Sequence, residues 1–129
     1  MALPPRKLKE LAPKKEKRES RWKSQAHLAF VRSFHCAWPG CQRAPIEAAH
    51  VRNGSGAGMG QKPDDHRAVP LCGHDLDFMG HHAQQHAIGE QSFWRAYQVA
   101  SGQTVDQLIE SLCDASPRRQ QIREHRNGQ

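Results

Sequence analysis

The chain has 129 residues, of which 36% are hydrophobic, and a formal net charge of +6. That length points to one domain with a modest core, the kind that is commonly reinforced by a metal or a disulfide. No apolar run approaches the roughly 20 residues that span a bilayer, and the opening MALPPRKLKELAPKKEKRES lacks the apolar segment of an export signal. A membrane protein and a disulfide-stapled secreted domain are therefore disfavoured. The expectation is a cytoplasmic chain whose four cysteines are metal ligands or free thiols.

In chain order, residues 1–20 read as a disordered basic tail, with Pro4, Pro5 and Pro13 interrupting a run of charge that includes Lys14, Lys15 and Arg18. Residues 1–23 carry nine Lys/Arg against three Glu, and residues 117–129 carry four Arg against Glu124, whereas the centre is net acidic. Basic arms flanking a domain suit a polyanion such as nucleic acid, although a solvated tail has the same composition. From Arg21 to about Ser33 the pattern predicts a helix packing through Trp22, Ala26, Ala29 and Phe30, with His27 at the surface. Cys36 and Cys41 flank a Pro39-Gly40 turn, and IEAAHV then reads as a short strand ending near His50. NGSGAGMGQKPDD is a long loop, RAVPLC a short apolar stretch ending in Cys72, and GHDLDFMG a second loop or turn. A helix is expected to begin near Gly80–His81, and another after Gly89 to pack through Phe93, Trp94 and Tyr97. Thr104 is the expected N-cap of a helix with Val105, Leu108, Ile109 and Leu112 as its apolar stripe, ended by Pro117. The single domain is thus expected over residues 21–116, with metal core 34–94, C-terminal helices 89–115, and a basic tail 117–129.

Between Cys36 and His86 stand nine candidate ligands: Cys36, Cys41, His50, His66, Cys72, His74, His81, His82 and His86. Two needs account for that density. A closed zinc site takes four Cys or His ligands in a tetrahedron. Cys36, Cys41 and Cys72 supply three thiolates, and the fourth ligand is His81 or His74, with His81 preferred because it would tie the next helix to the knuckle. Cys113, in the apolar stripe's helix, is a weaker fourth candidate that reads more readily as a small buried residue. The second need is chemical. His82 and His86 stand at i and i+4, so both rings project from one helix face and can share an ion that keeps open positions for water and substrate. His50, at a strand's end, is the candidate general base, since a neutral imidazole can take a proton from water.

The ordered set of AAHVRNGSGAGMGQKPDDHRAVPLC followed by HHAQQHAIGEQSFW resembles the HNH (ββα-metal) endonucleases, and more closely a phage and prophage branch that includes RecA-dependent recombination-enhancement nucleases. The resemblance spans about residues 36 to 94. It implies an α+β fold, a small zinc-stapled ββα-metal (His-Me finger) core with flanking helices and basic tails. It also implies hydrolysis of DNA phosphodiester bonds with little sequence specificity, in phage or bacterial recombination and DNA processing. On that resemblance His50 matches the general base. His82 and His86 match the holders of a catalytic Mg²⁺, Mn²⁺ or Zn²⁺; Cys36, Cys41, Cys72 and His81 match the structural Zn²⁺ ligands; and Asp65 matches an acidic residue that orders the loop. Arg52 and Lys62, with Lys14, Lys15 and Arg18 of the tail, would contact the nucleic acid, and a recombinase filament is a further implied partner. The chain departs from the pattern in three places. Ala49 stands where many members have a metal ligand, Arg67 falls near the expected Asn, and eight residues separate Cys72 from His81 where about two are usual. The rival reading is a non-catalytic, zinc-stapled DNA-binding or recombinase-partner module.

Overall fold

The computed structural model describes residues 21–55 and 62–128. Lys14, Lys15, Arg18 and the centre of the glycine-rich loop lie outside the described residues. The architecture is α+β, with five helices and one two-stranded antiparallel sheet among the described residues. In order these are α1 (Gln25–Arg32), β1 (Ile46–His50), a 3-10 turn (Asp65–Arg67), β2 (Ala68–Cys72), α2 (His81–Ile88), α3 (Glu90–Ser101), α4 (Val105–Ala115) and α5 (Arg119–Asn127). None of the helices is long and apolar enough to cross a membrane.

The register of the sheet sets the rest. β1 and β2 pair from Ile46↔Cys72 to His50↔Ala68, so the two chain ends of chemical interest sit at opposite ends of one ladder. Beyond the Cys72 end, the Gly73 amide donates to the Pro45 carbonyl at 2.8 Å. β2 is buried along its whole length, as its uninterrupted apolar sequence requires. It is covered by α1, α2 and α4. The core joins Val51, Val69 and Leu71 to Phe93, Trp94 and Tyr97 of α3 and to Ile109 and Leu112 of α4.

Local chemistry explains the helix limits. Thr104 forms a reciprocal capping box with Gln107 at the start of α4. Gly102, at φ 81°, closes α3 in the left-handed conformation that glycine adopts without steric cost. α1 is capped by the Ser24 side chain, which accepts from the His27 amide. Its inward face differs from the expected one. His27 and Val31 are buried while Ala26 and Ala29 are exposed. His27 belongs inside because its Nδ1 lies 2.8 Å from the buried Ser116 hydroxyl. One ring nitrogen is bonded while Nε2 is buried without a partner, so its burial costs less than that of an imidazole with neither nitrogen bonded.

The C-terminal segment also departs from the expected tail. Residues Arg119–Asn127 form α5, which follows α4 through the Ser116–Arg118 turn and buries Ile122 to 1% exposure. Its other faces carry the basic side chains that gave the segment a tail-like composition. Ile122→Ala should therefore lower stability by about 2–5 kcal/mol, the usual cost of removing a buried aliphatic side chain. Urea unfolding checks this; an unchanged midpoint would mean that α5 contributes nothing to the folded domain.

Candidate metal centre and adjoining cleft

The turn Trp38–Cys41, closed by a hydrogen bond from the Cys41 amide to the Trp38 carbonyl at 3.0 Å, ends in Cys41, and Cys36 stands two residues before it. It docks on the sheet through the Ala37 amide, which donates to the Pro70 carbonyl at 2.8 Å. Cys72 ends β2 and His81 begins α2. Their four ligand atoms lie within 4.8 Å of one another, a cluster that could hold a metal ion such as zinc. Cys36 Sγ and Cys72 Sγ each lie 3.3 Å from His81 Nδ1, and Cys41 Sγ lies 3.9 Å from Cys72 Sγ. Ligands 2.3 Å (S) and about 2.05 Å (N) from a tetrahedral zinc would be separated by about 3.8 Å (S to S) and about 3.6 Å (S to N). The observed separations match within a few tenths of an ångström. They are far beyond the roughly 2.05 Å of a disulfide, and all four cysteines are free.

The surroundings suit this donor set. His81 is 8% exposed, its ring stacked on Trp38 at 5.2 Å and met edge-on by Phe78 at 5.5 Å. Burial, then the Arg43 guanidinium, hold its pKa below the ordinary value, which favours the neutral ring that ligates metals. Burial pushes the Cys36 thiol up to about 12, so a bound cation is what would draw off its proton. The His81 amide, at the start of α2, donates to Cys72 Sγ at 3.2 Å. Cys113 has no part in the cluster. Its thiol donates to the His66 carbonyl at 3.2 Å and burial pushes its pKa up to about 11.

The eight residues between Cys72 and His81 form an excursion that leaves and returns at one point. A Cβ on Gly80 would stand 2.3 Å from the Gly73 carbonyl carbon and 2.5 Å from the Cys72 oxygen. Only glycine permits that pinch, which sets His81 beside Cys72. Asp75 shapes the excursion by accepting from the amides of Asp77 and Phe78 at 2.9 and 2.8 Å. Phe78 folds back beneath the Arg43 guanidinium, 3.9 Å from its ring centre. His74 lies on the exposed limb and is absent from the cluster, so of the two candidate fourth ligands the geometry selects His81.

His50, Arg52, Lys62, His82 and His86 all line one cleft of about 430 Å³, together with Ala48 and Pro63. The His82 and His86 ring centres are 5.0 Å apart. Two imidazoles on one tetrahedral ion place their centres about 5 Å apart, so the pair fits a shared metal. No third His, Cys, Asp or Glu completes a tight ligand cluster with them among the described residues. Glu47, which the sequence reading left out, lies 3.1 Å from His82 Nδ1 and would orient that ring in the manner of carboxylates behind metal-bound histidines. Its position on β1 opposite Leu71 gives it no signature in the sequence. Ala49 is fully buried in the core between Ala48 and His50, so its position serves packing and not the cleft.

Asp65 is 2% exposed and ties three elements together. Its Oδ1 accepts from His50 Nε2 at 2.9 Å and from Arg21 Nη1, and its Oδ2 accepts from the Ser24 amide at 2.8 Å. It thus orders the entry to α1 and lies against His50, which suits the orienting work that the missing Asn left to Asp65 or His66. Arg67 fills no catalytic place: its guanidinium donates to the carbonyls of Val51 and Asn53 at 3.0 and 2.6 Å and clamps the chain after β1. Glu90 accepts from the Arg52 and Asn53 amides at 2.7 and 3.1 Å and fixes the same turn from α3.

No protein family, curated protein or solved structure matches this chain.

Two outcomes are expected. Cys72→Ser should lose one tightly held zinc equivalent by metal analysis, and Gly80→Ala should cost about 1–3 kcal/mol or more while loosening the same ion. Full zinc retention in both would count against the cluster as a metal centre. Asp65 supplies a pH dependence. Burial acts to raise its pKa, but hydrogen bonds from His50, the Ser24 amide and Arg21 outweigh this and hold it below 3.8. Its contribution to stability is therefore complete above about pH 4 and is lost as pH falls through the depressed value. Asp65→Asn should be less stable at pH 7 and lose less on acidification, as read from urea midpoints between pH 6 and pH 3.

Proposed function

We propose that the protein is a metal-dependent endonuclease that hydrolyses DNA phosphodiester bonds with little sequence preference, of the HNH kind its motifs resemble, acting in phage or bacterial DNA recombination. The observation that carries this reading is the cleft in which His50 meets the His82–His86 pair, with Arg52 and Lys62 on its walls. Imidazoles and cations around one depression suit a phosphate. A buried carboxylate behind one imidazole suits a base.

Asp65 is a carboxylate and can only accept, so His50 Nε2 carries the proton donated to it and Nδ1 bears the lone pair. Nδ1 is then the atom that takes a proton from the attacking water, and Asp65 stabilises the imidazolium that forms. His82 and His86 would hold a divalent ion, with Glu47 steadying His82. When bound, such an ion supplies charge stabilisation at a non-bridging phosphate oxygen and at the leaving oxygen. Arg52 and Lys62 bind the phosphate backbone, and the basic N-terminal segment adds affinity that falls with salt. No side-chain set in the cleft suggests base readout, which is why little sequence specificity is proposed. Two imidazoles with open positions accept several divalent ions, so Mg²⁺, Mn²⁺ and Zn²⁺ are all candidates.

The incomplete ligand set at His82 and His86 favours one competing reading, a zinc-stapled DNA-binding or recombinase-docking module without catalysis. Cleavage of labelled single- and double-stranded DNA across a divalent metal series, with and without a recombinase filament, separates the two. The parent chain should nick DNA, His50→Ala should be slower by roughly 10²–10⁴-fold, and His82→Ala should need more metal. Equal cleavage by parent and His50→Ala would remove His50 as the base. Binding without cleavage under every condition would leave the non-catalytic module.

A further inference from the structure

Apart from the cysteine cluster and the cleft, one more group of ligand-bearing side chains converges among the described residues. Asp64 leads into the 3-10 turn, His66 lies within it, and His125 comes from α5. Their ligand atoms all lie within 4.8 Å of one another. Asp64 Oδ2 stands 3.4 Å from His66 Nε2 and 3.3 Å from His125 Nε2. The His125 contact has hydrogen-bond geometry and the His66 contact does not, and both are longer than the 2.7–3.2 Å at which such bonds cluster. The two separations match the roughly 3.4 Å edge expected between N and O ligands held about 2.05 Å from a tetrahedral zinc.

Four further observations bear on this group. His66 is 8% exposed, and its buried Nε2 has no hydrogen-bond partner. An orphaned ring nitrogen is costly in a folded protein unless something coordinates it. The other oxygen of Asp64 is already committed, because Oδ1 accepts from the Trp22 amide at 2.6 Å, which turns Oδ2 towards the two rings. The Trp22 ring lies 5.8 Å from His66 and 6.5 Å from His125 and supplies an apolar wall to the group. Finally, α5 buries only Ile122 and otherwise holds to α4 through the surface pair Arg126–Glu110, whereas His125 is placed to tie it to the 3-10 turn.

We infer that Asp64, His66 and His125 form a second zinc site, distinct from the cysteine cluster, in which an N,N,O donor set pins α5 to the turn that leads into β2. The donor set suits Zn²⁺: two imidazoles and a carboxylate with a fourth position left for water. The site stands whether or not the cleft is catalytic, since metal content and not cleavage reads it out.

The full-length chain, dialysed against a mild chelator, should carry one zinc equivalent more than His125→Ala and one more than Asp64→Asn. Asp64→Asn keeps the acceptor for the Trp22 amide and removes only the anionic ligand, so it guards against a loss caused by misfolding. With Co²⁺ in place of zinc, both variants should keep the sulfur-to-metal charge-transfer band of the cysteine cluster. They should lose a set of weaker visible bands that has no sulfur character. Zinc addition should also raise the Tm of the parent more than that of either variant. Parent-level zinc retained by either variant after dialysis overturns the assignment.

Discussion

Three sulfur atoms converging on one imidazole govern the rest of this small domain. The knuckle, the end of β2 and the start of α2 meet at His81, which touches Cys36 and Cys72 through one nitrogen at 3.3 Å each. α2 therefore has a fixed origin and a fixed direction. His82 follows that anchor directly and His86 lies one turn further along, so the position of both rings in the cleft is inherited from the clamp. The hydrophobic core is small, and side chains that packing would hold in a larger protein are gathered here by a cluster that could hold a metal ion. A single eight-residue helix carries both the clamp and the side chains of the cleft.

The adjacent carboxylates of Asp64 and Asp65 divide the electrostatics between them. Asp65 faces His50, Arg21 and the Ser24 amide, whereas Asp64 faces Trp22, His66 and His125. One dipeptide at the mouth of the 3-10 turn thus connects the cleft, the entry to α1 and the last helix. Each carboxylate spends its acceptors on donors from distant parts of the chain. This is how a segment with no regular backbone pairing of its own is fixed between two imidazole groups.

Much of this was legible in the sequence, and for local reasons. Thr104 and Gln107 carry a cap whose chemistry is complete within four residues, and IEAAHV marks the first strand, whereas the apolar stretch ending at Cys72 becomes a strand only through its pairing with it. The cysteine cluster was legible because few other roles explain three such residues near a histidine-bearing helix. The inward face of α1 was not, because the partner that makes His27 a core residue is Ser116, 89 positions away. α5 was hidden by composition: eight of its nine residues are polar or charged, and Ile122 alone marks the face that docks. Glu47 escaped notice because a carboxylate on an exposed strand position reveals its partner only in three dimensions. The eight-residue spacing before His81 looked like a departure from the family pattern, and linear counting could not show that its ends touch.

The pinched neck at Gly73 and Gly80 has a practical corollary. Because the backbone re-enters the fold where it left, the stretch between the two glycines is a side loop, tied back through Phe78 against His81 and Arg43 but open at its crest. Leu76, at its crest, is fully solvent-exposed. A peptide tag or fluorescent reporter spliced at that crest would hang outside the domain on a short stalk, with the ladder, the clamp and the helices sharing none of the added load.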